Sequence, residues 1–120
     1  MKKFLMMLMA VASVFVMTGC ADSPDEVVTK WGAAIIANDK ATSEECVTSG
    51  SKEINEFFLE GYKNGNEEYK AKFATDIALV GEPEIDGDTA KVVIGDNKIT
   101  FILKKVDGEW KIDFEATMEQ

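Results

Sequence analysis

Residues 98–114 read KITFILKKVDGEWKIDF, and this stretch decides the fold. Ile99, Phe101 and Leu103 fall on every second position, Asp107-Gly108 interrupts, and Trp110, Ile112 and Phe114 alternate again. Successive side chains of a strand point to opposite faces, so each run presents one apolar face. Asp-Gly between two alternating runs suits a two-residue turn whose central residues both take positive φ. The pattern predicts a β-hairpin whose six apolar residues share a core face. The other face of the returning strand carries Lys111, Asp113 and Glu115, as in a sheet with helices on one side and partly water on the other.

Upstream, Asp86-Gly87-Asp88 and Gly95-Asp96-Asn97 punctuate further alternating runs in the manner of an antiparallel meander. Four strands are expected, near residues 74–84, 89–94, 98–106 and 109–116. Before them the period is helical. Ser23-Pro24-Asp25-Glu26 is a helix start: Ser23 can cap, Pro24 suits the first turn, and Glu26 completes a capping box while two acids meet the positive end of the dipole. This first helix runs to residue 37, with Val27, Val28, Trp31, Ala34 and Ile35 on one face. Asn38-Asp39 breaks the pattern. A short helix is expected over residues 42–47, and a third from Ser51 with Ile54, Phe57, Phe58 and Tyr62 on its inner side, before Lys63-Asn64-Gly65-Asn66 interrupts. Helices followed by a run of strands imply an α+β domain: N-terminal helices packed on a curved four-stranded antiparallel sheet.

The chain opens differently. Lys2 and Lys3 precede an apolar run over residues 4–17, broken only by Ser13, that closes on Met17-Thr18-Gly19-Cys20. A membrane-spanning helix needs about 20 apolar residues; a shorter run ending in small residues has the layout of a cleaved signal. Met17-Thr18-Gly19-Cys20 resembles the lipobox of bacterial lipoproteins, with Met17 where Leu is usual. The resemblance implies a signal peptide over residues 1–19, a lipid on Cys20, a tether over residues 20–22 and a domain over residues 23–120. It also implies a membrane partner through the lipid at Cys20, palmitate among its acyl chains, and a place in the bacterial cell envelope. Two or three acyl chains hold a protein on a bilayer far longer than one.

Charge and composition exclude several functions. Cleavage after residue 19 removes two of the 13 basic residues and none of the 22 acids, so the formal charge of −9 becomes −11. Every basic residue is lysine. A field of this sign repels nucleic acid, and no arginine is present to grip phosphate with two hydrogen bonds. It also disfavours flat docking on anionic lipid. The chain contains no histidine, which excludes Ser-His-Asp and Cys-His nucleophiles and any His-containing metal site. With Cys20 lipidated, Cys46 stands alone and no internal disulfide is expected. No cofactor and no metal are expected.

The order of helices and then a meander resembles the NTF2-like, cystatin-like superfamily, and more closely the small bacterial lipoproteins with a DUF4878 domain. Ser23-Pro24-Asp25-Glu26-Val27-Val28, the helix exit at residues 33–39 and Gly108-Glu109-Trp110-Lys111-Ile112 carry that resemblance. It implies a cone in which the bent sheet wraps the long helix, sometimes with a pocket at the open end. The superfamily includes isomerases, dehydratases, ligand carriers and protein-binding domains, so fold alone does not choose among them.

Four sets of residues qualify as candidate sites. Trp31, Phe57, Phe58, Tyr62, Phe101, Trp110 and Phe114 are either the core of a small domain or the lining of a pocket for an apolar molecule, and core is the preferred reading. Asp76, Tyr62 and Tyr69 could act as acid or base, as carboxylate and phenol do in ketosteroid isomerase, although solvated surface accounts for them more simply. Residues 82–88 with Asp96 and Asn97 are rich in oxygen, but they lack the order of a calcium loop and fit hairpin turns. Cys46, with no base near it in sequence, reads as a small buried hydrophobe. The expectation is a non-enzymatic, lipid-anchored envelope domain that binds a protein partner or a small apolar ligand. An isomerase or dehydratase and a structural assembly factor are the rivals.

Overall fold

The computed structural model describes residues 22–120. The signal peptide expected over residues 1–19, the Cys20 expected to carry a lipid and the start of the expected tether at Ala21 lie outside the described residues. No helix among the described residues is long and apolar enough to cross a membrane.

The chain forms α1 (Pro24–Ala37), α2 (Lys40–Glu45), a 3-10 turn (Ser49–Ser51), α3 (Lys52–Asn64) and α4 (Glu67–Ala78). Strands β1 (Glu84–Asp86), β2 (Thr89–Ile94), β3 (Ile99–Val106) and β4 (Glu109–Ile112) follow, and α5 (Phe114–Met118) closes the chain. The strands make one antiparallel sheet in the order β1-β2-β3-β4. The architecture is α+β.

Each helix begins and ends for a local reason. At the start of α1, Glu26 Oε1 accepts from the Ser23 amide at 2.9 Å, and Pro24 occupies the first turn. Asn38 ends α1 in the left-handed conformation, φ 57° and ψ 39°. The amides of Asn38 and Asp39 bond back to the carbonyls of Ile35 and Ala34, the pattern of a Schellman closure with asparagine in place of glycine. Asp39 then caps α2 by accepting from the Thr42 amide at 3.2 Å and the Thr42 hydroxyl at 2.8 Å. Those two bonds hold its carboxyl below the usual range.

Two strand expectations fail. Residues 74–84 are not a strand: residues 74–78 belong to α4, and β1 begins only at Glu84. Asn66 caps α4 through the Tyr69 amide at 2.8 Å, Glu67 and Glu68 meet the dipole, and Tyr69, Phe73 and Ile77 recur every fourth residue. This helical period outweighs the alternation of Thr75, Ile77 and Leu79. The last strand stops at Ile112 rather than at residue 116, because Asp113 accepts from the Ala116 amide at 3.0 Å and starts α5. The short second helix also lies earlier than expected, over Lys40–Glu45.

The final hairpin forms as its pattern requires. Val106 pairs with Glu109 and Leu103 with Ile112, while Asp107 and Gly108 take φ of 53° and 83°. Phe101, Leu103, Trp110, Ile112 and Phe114 join one core. Ile99 does not: as the first residue of β3 it is 42% exposed. On the outer face, Ile102 is buried beside α5, so that face is less wet than the alternation implied. The Ile102 amide donates to Thr117 Oγ1 at 2.9 Å and the Asp113 amide to the Ile102 carbonyl at 2.8 Å. The chain beyond β4 thus keeps bonding to β3.

Helix α1 lies against β2, β4, α2, α3 and α4, and its Val28, Trp31 and Ile35 are wholly buried. Burial of one such side chain contributes about 1.5–3 kcal/mol. Gly32 lets α4 come close, since a Cβ there would collide with the Ile77 side chain. A polar thread crosses this apolar interior. Trp31 Nε1 donates to Asn55 Oδ1 at 2.7 Å, Asn55 Nδ2 donates to Ser43 Oγ at 3.0 Å, and Ser43 Oγ donates to the Lys40 carbonyl at 2.9 Å.

The two edges of the sheet differ. Beside β4 the Thr48 amide donates to the Ile112 carbonyl at 3.0 Å and the Ile112 amide to the Cys46 carbonyl at 2.8 Å, so Val47 adds a short parallel bridge. Across the sheet, β1 is three residues long and exposed throughout.

Trp31→Phe and Asn55→Leu should each cost about 1–3 kcal/mol, because each strands a buried polar partner. The double variant should lose clearly less than the sum, as read by urea unfolding. Additive losses would show that the two groups do not depend on each other.

Candidate functional site

The aromatic residues named from sequence separate into two groups. The Trp31 ring meets Phe58 at a centroid distance of 5.2 Å, Phe114 at 5.3 Å and Phe101 at 5.7 Å. Tyr62 sits partly buried with its ring 5.4 Å from Phe73, and Trp110 is buried on β4. These six pack together as core. Phe57 was expected on the inner side of α3 and is instead 74% exposed. The inward face of that helix is set by Asn55 and Leu59, which are buried, and Phe57 falls off it by half a turn.

Asp76, Tyr62 and Tyr69 each pack against different neighbours. Asp76 lies near the end of α4, where Lys72 Nζ approaches both its carboxylate oxygens at 3.3 Å, and its side chain packs against Gly95. Tyr69 is 41% exposed beside Gly65. Glu84 and Asp86 lie on exposed β1, and among the described residues no three acids or cysteines gather closely enough to hold a metal ion. Cys46 is 3% exposed and belongs to the core. Burial pushes its thiol up, and Lys30 and Lys111 offset this only in part. A thiol so placed stays protonated near neutral pH and is a poor nucleophile.

A charged cleft that the sequence did not announce lies between the start of α1 and β4. It encloses about 280 Å³ and is lined by Asp22, Val27, Lys30, Glu45, Cys46, Glu109, Trp110 and Lys111. Val27, Cys46 and Trp110 are buried and form its inner wall. Lys30 Nζ stands 4.0 Å from Asp22 Oδ2, and Lys111 Nζ stands 3.4 Å from Glu109 Oε1. Lys111 also donates to the Glu45 carbonyl, which fixes its ammonium at the rim. A more open groove of about 520 Å³ lies on the other side of Lys111, between Glu44, Thr48, Lys52 and Val106.

No sequence signal pointed to the cleft, because its charges come from four separate segments. Lys30 and Lys111 each look like ordinary solvated residues in their own element. Asn55 and Ser43 were missed as well, and there a signal existed. Asn55 occupies a core position of α3, four residues before Leu59, where an apolar residue would be the default. No protein-family model, curated protein or solved structure matches the chain.

Phe114→Ala and Trp110→Ala should each cost about 3–5 kcal/mol through lost burial and a cavity. Phe57→Ala should change stability by less than about 0.5 kcal/mol. Chemical denaturation monitored by circular dichroism separates the two groups. A Phe57 loss as large as that of Phe114 would place Phe57 in the core.

Proposed function

We propose that this chain is a lipid-anchored cell-envelope protein whose domain is a non-catalytic interaction module, binding a protein partner through its surface. The observation that carries the choice of surface over cavity is the packing of Trp31 with Phe58, Phe101 and Phe114 at 5.2–5.7 Å between centroids. Where a pocket for an apolar ligand would lie, these rings touch. The NTF2-like, DUF4878-like cone is the finer reading of the fold. Its support is the order of helices followed by a meander, with α1 against β2 and β4.

The lipid anchor rests on Lys2, Lys3, the apolar run and Thr18-Gly19-Cys20. An isomerase or dehydratase would need a carboxylate facing an enclosed cavity, and Asp76, the acid singled out for that role, is paired with Lys72 on α4.

Cys20→Ser should move the protein from the membrane fraction to the soluble fraction, and intact mass should show a lipid adduct on the wild type alone. Wild-type protein without that mass would end the lipoprotein reading. Thermal-shift screening of apolar envelope metabolites should give no saturable hit. A hit that the protein converts, with conversion abolished in Asp76→Asn, would establish an enzyme instead.

A further inference from the structure

The cleft between α1 and β4 lies where the tether enters the domain. Asp22 lines it, and Asp22 follows Cys20 by two residues, a span of about 7 Å at full extension. With a lipid on Cys20, the rim of the cleft stands at the level of the phospholipid headgroups. The inference rests on the anchoring reading above.

The lining selects by charge. Lys30 and Lys111 supply two ammonium groups, and Asp22, Glu45 and Glu109 supply three carboxylates. A purely anionic ligand meets a surplus of acid, on a domain that already carries net negative charge, and a purely cationic one meets two lysines. A ligand bearing both a phosphate and an amine matches both sets. The volume of about 280 Å³ falls just below the roughly 300–1,000 Å³ of pockets for drug-sized molecules, which suits a headgroup. Trp110 and Val27 give its carbon atoms an apolar wall, and the protonated thiol of Cys46 adds no charge.

We propose that this cleft binds the phosphate-and-amine headgroup of a zwitterionic aminophospholipid and so pins the domain against the bilayer that holds its anchor. The phosphate lies between Lys30 and Lys111, and the amine turns to the acidic rim at Asp22. The domain then stands in one orientation instead of swinging on its tether.

Tryptophan fluorescence tests this directly, because Trp110 lines the cleft while Trp31 is fully buried away from it. The full chain, purified from membranes into maltoside micelles, is titrated with glycerophosphoethanolamine, glycerophosphoglycerol and glycine. Only glycerophosphoethanolamine should saturate. Lys30→Gln and Asp22→Asn should each weaken it about ten-fold, the loss of one charge-assisted hydrogen bond, with the unfolding midpoint unchanged. Equal response to glycerophosphoglycerol would make this a plain anion site, and equal response to glycine would make it a site for free zwitterions; either overturns the proposal, as does no saturation at all.

A vesicle experiment separates membrane headgroup from soluble metabolite. Acrylamide quenching of Trp110 should fall in phosphatidylethanolamine vesicles and not in phosphatidylglycerol vesicles. Equal quenching in both would overturn the pinning. Intact mass of the same preparation keeps the two readings apart. A lipid-free chain that still binds glycerophosphoethanolamine refutes the anchor alone, and a lipidated chain that fails to bind refutes the cleft alone.

Discussion

The hydrogen bond from Trp31 Nε1 to Asn55 Oδ1, 2.7 Å long and wholly buried, is the constraint on which the helical layer depends. A large indole can be buried completely only if its N–H finds an acceptor. Asn55 provides one, and its own amide must then be satisfied by Ser43, whose hydroxyl reaches the Lys40 carbonyl. Three helices are tied to each other by groups that cannot reach water. An apolar contact tolerates a small slide, whereas this thread does not, because each displaced member would leave a buried donor or acceptor unpaired. With α1, α2 and α3 fixed, the faces of Val28, Trp31 and Ile35 are presented to the sheet in one register.

A second polar joint fixes the sheet to the helices. The Phe114 amide donates to Ser51 Oγ at 2.8 Å, and Ser51 Oγ lies 2.7 Å from Thr48 Oγ1. Phe114 therefore enters the aromatic core from the first turn of a helix, not from the end of a strand. The turn before α3 and the turn after β4 meet through residues 63 positions apart in the chain. Exposed ion pairs such as Lys40 with Glu56 contribute little beside this, about 0–1 kcal/mol.

Much of this architecture is legible in the sequence where local chemistry and burial agree. Pro24 and Glu26 begin α1 and Asn38 ends it, and Asp107-Gly108 turns the last hairpin. Legibility fails where two periods overlap. Thr75, Ile77 and Leu79 alternate like a strand, while Tyr69, Phe73 and Ile77 repeat like a helix, and the Asn66 cap decides between them. Trp110, Ile112 and Phe114 keep strand spacing across a boundary that Asp113 creates. Phe57 and Phe58 are adjacent and chemically identical, so composition cannot say which is buried. The cleft was harder to foresee, because Asp22, Lys30, Glu45, Glu109 and Lys111 become neighbours only after folding.

The unequal edges of the sheet bear on how copies of the chain coexist. A protein held on a membrane meets its own kind in two dimensions, at local densities well above those in free solution. An open strand edge is then a standing invitation to join sheet to sheet. One edge here is already occupied by the segment Cys46 to Thr48. The other offers three residues, two of them Glu84 and Asp86, so a second copy docking edge to edge would set carboxylates against carboxylates. If the chain is anchored as proposed, the short, acidic strand resists edge-to-edge joining between copies on one bilayer.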